Sequence, residues 1–216
     1  MHSIVVAGGD LVPSARVLAI ARAAGLVIAV DSGARHLGAL SRTADVLLGD
    51  FDSYAPTDES CEVIRYPIAK DVTDTHLGVR EARRRGADRI SLVAVLRGPR
   101  LDHAAANLLL LSADEFSDLD VRAVDGDDEL RAVRKHAVFE GRPGDLITLL
   151  AVTRTARGVT VDGLAYPLRR GVLARGDSRG VSNVMLGERA QVSVETGVLL
   201  AIHRDGTDPN VLISGR

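Results

Sequence analysis

The sequence predicts an α/β fold class in two parts: an N-terminal α/β domain with a largely parallel sheet over residues 1–122, and a C-terminal all-β sandwich domain over residues 123–216. Three observations carry this. First, short aliphatic runs at residues 3–7, 26–30, 46–48, 62–66, 90–96 and 121–124 alternate with helix-length segments, the pattern of β-α units. Second, after the turn Gly126-Asp-Asp128 the pattern changes to short strand-like segments separated by Gly, Pro and Asp, and a regular helix is hard to find. Third, polar clusters follow four of the N-terminal strands, at the carboxyl edge where open α/β sheets bind ligands.

The elements follow in order. Residues 3–7 form a buried strand, and Gly8-Gly-Asp10 after it lets backbone approach a phosphate or simply turns the chain into a helix. That helix opens at Pro13-Ser14, with Ser14 as N-cap, and stops at Gly25. After the strand at 26–30, Asp31 either caps a helix over residues 33–40 or brings a carboxylate to the sheet edge. The next strand ends in Gly49-Asp-Phe-Asp52, which delivers two carboxylates, Asp50 and Asp52, on the same side of a strand end. Such a pair holds Mg²⁺, a hard cation that takes oxygen ligands and keeps waters for a phosphate; a polar turn is the plain alternative. Residues 62–66 read as a strand, and Lys70-Asp-Val-Thr-Asp-Thr75 leads into a helix running to about Arg85, capped by Asp71 or Thr73 with Asp74 in its first turn. Arg83, Arg84 and Arg85 read as its solvated face, with Glu81 paired to Arg85. After the strand at 90–96, Asp102 caps a helix over residues 103–113, and Arg100 with Asp102 makes a charged pair suited to a polar substrate. The C-terminal strands are expected at residues 130–133, 146–152, 159–161, 164–168, 190–194 and 198–202, with a glycine-rich polar loop at 175–183.

Composition narrows the function. With 216 residues, 46% of them hydrophobic, the chain can bury a full core. It has no apolar run of the about 18 residues a membrane span needs, and no signal peptide opens it, so no membrane partner is expected. A single cysteine, Cys61, fits a reducing cytoplasm. A net charge of −2 and 3% aromatic residues without Trp argue against a nucleic-acid partner. The six histidines lack zinc-site spacing, and neither lysine follows a glycine as in a Walker A loop. Of 27 basic residues only Lys70 and Lys135 are lysines, which is either chance or the mark of a site that wants a compact point charge.

Taken together, Val30-Asp-Ser-Gly33, Leu48-Gly-Asp-Phe-Asp-Ser53, Lys70-Asp-Val-Thr-Asp-Thr75 and Arg100-Leu-Asp-His103 with Asn107-Leu-Leu behind it resemble the motifs of the thiamine pyrophosphokinases, in that family's order. The C-terminal half continues the resemblance through Gly163-Leu-Ala-Tyr-Pro-Leu168, Gly180-Val-Ser-Asn183 and Gly197-Val-Leu-Leu200. The resemblance implies a homodimer that moves a diphosphate from ATP to the hydroxyl of thiamine, giving thiamine diphosphate and AMP. It implies that Asp31, Asp50, Asp52 and Asp74 form an acidic centre, with Mg²⁺ on Asp50, Asp52 and Asp74. It implies that Lys70, Asp71, Thr73 and Arg100 lie by ATP, with Asp102 near the aminopyrimidine. Ser182 and Asn183 would contact thiamine from the partner subunit, placing the site across the dimer interface. Asp74 and Asp102 are the first candidates to accept the hydroxyl proton.

Three departures from the family pattern stand out. Pro99 precedes Arg100 where Gly is frequent, Val184-Met185 follows Asn183 where an acid and an aromatic are frequent, and the β-domain offers only Phe139 and Tyr166 as aromatics. They motivate a second reading, a nucleotide- or thiamine-binding paralogue without turnover. A third reading takes Asp50 and Asp52 as the nucleophile pair of a haloacid-dehalogenase-like phosphatase, which leaves the β-domain unexplained.

Overall fold

A computed structural model describes residues 1–51 and 61–206, and the chain divides into two compact units, Met1–Gly126 and Asp127–Arg216. The boundary expected after residue 122 falls inside a strand, and the division follows the turn at Gly126.

The first unit contains β1 (His2–Val6), α1 (Ala15–Ala23), β2 (Leu26–Val30), a 3₁₀ helix (Asp31–His36), β3 (Val46–Gly49), β4 (Glu62–Arg65), α2 (Asp74–Arg84), β5 (Arg89–Val93), α3 (Leu101–Leu110) and β6 (Asp120–Asp125). Its strands pair in parallel in the order β6-β5-β1-β2-β3-β4. β2 and β3 are buried at every position, as expected of parallel strands covered on both faces, whereas β4 at the edge is mostly exposed. The chain steps outward from β1 to β4, then returns through α2 to β5 on the other side of β1. That reversal makes the carboxyl ends of β1 and β5 a topological switch point, the place where such sheets open a crevice.

The helices follow local chemistry. Ser14 caps α1, its hydroxyl accepting the Val17 N–H at 3.2 Å, and Val17 and Ala21 bury against Ile4, Val6 and Val27. Thr73 caps α2 in the same way, accepting the His76 N–H at 3.3 Å. α2 lies close on the sheet because Gly78 has no side chain: a Cβ there would press on the γ-methyls of Val5 and Val30. Glu81 is buried, gripped by Arg84 and Arg85, so Arg85 belongs to a half-buried ion pair while Arg84 is the solvated member.

Three local expectations change. Residues 33–40 do not form an α-helix; a 3₁₀ helix starts at Asp31 and gives way to turns, because Gly33 packs its backbone on the Val6 carbonyl. α3 begins at Leu101, so Asp102 sits in its first turn and is not its cap. Residues 164–168 are a loop up to Leu168, with only an isolated bridge from Leu164 to Met185.

The second unit holds β7 (Asp128–Val133), β8 (His136–Glu140), β9 (Leu146–Ala151), β10 (Thr155–Asp162), β11 (Leu168–Ala174), β12 (Asn183–Val184), β13 (Arg189–Ser193) and β14 (Leu199–Arg204). Two antiparallel groups, β12-β9-β14-β7 and β11-β10-β13-β8, enclose one apolar core that includes Ile147, Leu149 and Leu199 from one and Phe139, Val159 and Val192 from the other. β9 alternates half-buried and buried positions, the period-two pattern of a sandwich strand. Among the described residues no helix is long and apolar enough to cross a membrane.

Candidate active site

The carboxyl ends of the parallel strands bring four of the expected residues together. Asp31 follows β2, Asp50 follows β3, Lys70 precedes α2, and Asp74 opens α2. The Lys70 ammonium donates to Asp50 Oδ2 at 2.9 Å and pairs with Asp74 Oδ1, also at 2.9 Å. These side chains are nearly out of solvent, at 12% exposed for Lys70, 13% for Asp50 and 15% for Asp74. Asp52 lies outside the described residues.

Asp31 is the strained member of the group. Its φ is 47°, a left-handed value uncommon for a residue with a side chain. Burial, then the charge of Asp74 and a proton shared with it, then the charge of Asp50, push its carboxyl up to about 7, with Lys70 opposing them. Asp31 Oδ1 is buried with no hydrogen-bond donor, and Asp74 Oδ1 is buried with the Lys70 ammonium beside it. Gly49 makes room for Asp31, since a Cβ at Gly49 would fall on the Asp31 carboxyl. Burial works against the charge of Lys70, but its contacts with Asp74 and Asp50 hold its pKa above the ordinary value.

Two adjoining clefts share Thr73, Asp74, Arg100 and His103. One, of about 290 Å³, lies at the switch point between the loops after β1, β2 and β5 and includes Gly8, Asp31, Ala94 and Asn107 in its wall. The other, an open groove of about 800 Å³, is lined by the charged Asp50, Lys70 and Asp71 and by the apolar Ile68, Ala106 and Leu109. Arg100 chelates Asp102 through two hydrogen bonds of 3.0 and 2.7 Å, and both side chains are well exposed. That guanidinium holds Asp102 well below the usual carboxylate range, and Asp102 lines neither cleft.

Several residues position the site without having been singled out for that role by the sequence. Asn107 donates to the Val95 carbonyl at 2.8 Å from a buried position, tying α3 to the loop after β5. Arg35 donates to the Gly8 and Gly9 carbonyls at 2.6 and 3.1 Å, and His36 Nε2 lies 2.7 Å from the Gly9 carbonyl. The N–H groups of Gly9 and Asp10 donate to the Ala94 and Arg97 carbonyls, and a Cβ at Gly9 would meet those same two oxygens. The glycine turn therefore joins two backbone loops, and those two amides are already committed within the protein. No motif marks the Arg35 and His36 contacts; the glycine pair, and Asn107 standing behind the Arg100–His103 motif, were the only signals available.

In the second unit, Asn183 is fully engaged: its Oδ1 accepts the N–H groups of Tyr166 and Val184 and its Nδ2 donates to the Tyr166 carbonyl. Ser182 is exposed, with φ 56°, and its N–H donates to Thr148 Oγ1. Asn183 and Tyr166 line a cleft of about 360 Å³ with Arg179, Val181 and Pro167. Tyr166 is 64% exposed, whereas Phe139 is buried between Arg131 and His203. Met185 is buried in the sandwich core, so its departure from the family pattern concerns packing. Asp145, His203 and Asp205 have metal-ligand spacing, but both Asp145 oxygens accept backbone N–H groups, from Arg142 and Gly206.

Comparison with known proteins matches this division. Residues 18–122 fit the family model for the thiamin pyrophosphokinase catalytic domain, and residues 135–199 fit the model for the thiamin pyrophosphokinase vitamin B1 binding domain. A comparison with curated proteins returns no match. Among solved structures, a thiamine pyrophosphokinase from Bacillus subtilis is similar with TM-score 0.83 at 24% identity, over 95% of this chain and 100% of that one. A thiamin pyrophosphokinase from Candida albicans is similar with TM-score 0.74 at 14% identity, over 94% of this chain and 89% of that one. At these identities the structural likenesses establish the fold, while the two family models, in order and together spanning most of the chain, establish descent. The chain belongs to the thiamin pyrophosphokinase family.

Proposed function

We propose that the protein transfers a diphosphate from ATP to the hydroxyl of thiamine, giving thiamine diphosphate and AMP, with Mg²⁺ held by Asp50 and Asp74 and by Asp52. The observation that carries this is the convergence of Asp31, Asp50, Asp74 and Lys70 at the carboxyl edge of a parallel sheet, in a member of this family. The donor set suits Mg²⁺: all ligands are carboxylate oxygens, the buried Asp31 Oδ1 beside them lacks a donor, and burial together with the charges of Asp74 and Asp50 raises the Asp31 carboxyl to about 7.

When bound, Mg²⁺ supplies positive charge and a template for the phosphate oxygens. The chain's own residues do the rest. Lys70 and Arg100 add fixed positive charge beside the clefts, where the triphosphate of ATP would otherwise meet only carboxylates. The walls hold the thiamine hydroxyl and the β-phosphorus in line. The hydroxyl oxygen bonds to the β-phosphorus as the bond from that phosphorus to the oxygen bridging the α-phosphate breaks, and AMP leaves. The hydroxyl proton passes to a carboxylate, and Asp74 is the acceptor we propose, since it lines both clefts. Asp102 is a poor base while Arg100 holds it. Tyr166 supplies the aromatic face for the thiamine rings, and Asn183 fixes its backbone. Asp71 and Thr73, which line the open groove, are the residues we propose to lie by the nucleotide, as the resemblance implies. We further propose a cytoplasmic homodimer, with the complete site formed across the subunit interface as the resemblance implies.

Purified protein with thiamine, ATP and Mg²⁺ is expected to give AMP and thiamine diphosphate in equal amounts by chromatography. ADP with thiamine monophosphate, or release of phosphate alone, would overturn the reading in favour of different transfer chemistry or a phosphatase.

A further inference from the structure

Lys70 reaches its carboxylates from a loop between β4 and α2 without regular structure, on a flexible four-carbon stem. Its ammonium contacts both Asp50 and Asp74 at 2.9 Å, and these are the carboxylates assigned above to Mg²⁺. Mg²⁺ takes carboxylate oxygens at about 2.0–2.1 Å. An ammonium held on the same oxygens would then lie within a few ångströms of a doubly charged ion, in a site nearly out of water, where like charges repel strongly.

We propose that Lys70 is a resident counter-ion of the acidic centre: it bridges Asp50 and Asp74 in the metal-free protein and leaves them when a divalent cation binds. Its released ammonium turns to the open groove, where the phosphate oxygens of the nucleotide replace the lost carboxylates. The inference rests on the reading of this centre as a divalent-cation site.

One side chain thereby couples metal to nucleotide. Without nucleotide, the displaced ammonium loses two partners and gains only water, so the metal binds weakly. With a phosphate present, Lys70 exchanges one set of anionic oxygens for another, and the metal binds well. The choice of residue fits. The chain has 27 basic residues, of which only Lys70 and Lys135 are lysines, yet lysine stands here. An arginine fork would grip the two carboxylates with directed hydrogen bonds and resist displacement; an ammonium is a point charge that moves between oxygen sets with little geometric demand.

The test is Mn²⁺ binding to the whole protein, read from the electron paramagnetic resonance signal of free Mn²⁺, with and without α,β-methylene-ATP. Lys70→Met is expected to bind Mn²⁺ alone at least about tenfold tighter than the wild type, since it removes a competing cation, and to lose most of the tightening that the nucleotide gives. Lys70→Arg is expected to bind more weakly than the wild type. Equal or weaker Mn²⁺ binding by Lys70→Met would overturn the proposal. Mn²⁺ binding unchanged in Asp50→Asn would instead overturn the metal reading of the centre on which it rests. A measurement on unaltered protein stands beside these: acetic anhydride labelling read by peptide mass. Lys70 is expected to label several-fold faster at saturating Mg²⁺ than without metal, with Lys135 unchanged. Equal labelling of Lys70 in both conditions would show a permanent structural bridge and sink the idea.

Discussion

The two units treat their buried polar groups in opposite ways. In the second, the buried amide and carboxylate are satisfied: Asn183 makes three hydrogen bonds to backbone, and the two Asp145 oxygens accept from Arg142 and Gly206. In the first, at the strand ends, Asp31 Oδ1 is buried without a donor, and three crowded carboxylates have one lysine among them, which reaches only Asp50 and Asp74. A fold tolerates an unsatisfied buried acceptor only where something else repays it, because each costs about 1–3 kcal/mol. The contrast separates scaffold from chemistry better than residue type does. Asp145 with His203 and Asp205 has the spacing of a metal site and the hydrogen bonding of a brace, whereas the Asp31 cluster leaves a buried carboxylate oxygen without a donor beside a cleft.

The sharpest way to break this comparison is to neutralise one member of each group. Asp50→Asn or Asp74→Asn is expected to lower kcat by about a thousandfold or more, with stability preserved or raised, because electrostatic stabilisation is lost while repulsion is relieved. Steady-state kinetics and urea melts on the same samples check both halves. Asn183→Ala is expected to do the reverse, costing about 1–3 kcal/mol of stability through the orphaned backbone groups of Tyr166, measured as a lower urea midpoint. An Asn183→Ala protein of wild-type stability would mean that its hydrogen bonds are not a brace. Tyr166→Ala sharpens the comparison further. It should raise KM for thiamine by roughly tenfold and leave KM for ATP in place, the loss of one aromatic face being worth about 1–2 kcal/mol.

How much of this was legible beforehand differs along the chain. The parallel strands were, because β2 and β3 are buried on both faces and read as unbroken aliphatic runs. Asp31 and Asp50 at their carboxyl edge were legible for the same reason, since one follows such a run directly and the other after a single glycine. The 3₁₀ helix at Asp31 was not: Gly33 is there to let its backbone meet the Val6 carbonyl, a contact distant in sequence that local helix signals ignore. Nor was the cap of α3, where Asp102 turned to Arg100. β8 and β11 were missed because polar or charged residues such as His136, Arg169 and Arg170 face solvent on sandwich strands and break up the apolar signal. The positioning contacts of Asn107 and Arg35 are long-range pairings to backbone carbonyls, which leave no pattern in sequence.

The smallest expected effect tests the charge crowding itself, without substrate. The unfolded chain releases the Asp31 proton near its ordinary 3.8, and the folded protein near 7, raised by burial and by Asp74 and Asp50. Between those values the folded state binds more protons than the unfolded one, so stability falls as pH rises across the window and levels off above it. In metal-free buffer the contribution of this group is on the order of 1–2 kcal/mol, well below what the full shift would give, because solvent screens a group that is only about half-buried. Urea melts of wild type and Asp31→Asn from pH 4.5 to pH 8 isolate it: the difference between them should favour the variant progressively as pH rises. Saturating Mg²⁺ should shrink that difference at pH 8, since a cation among the carboxylates removes the reason for Asp31 to keep its proton. A difference that stays flat with pH would mean that Asp31 titrates like any surface acid, and that the crowding read from the geometry does not act on it.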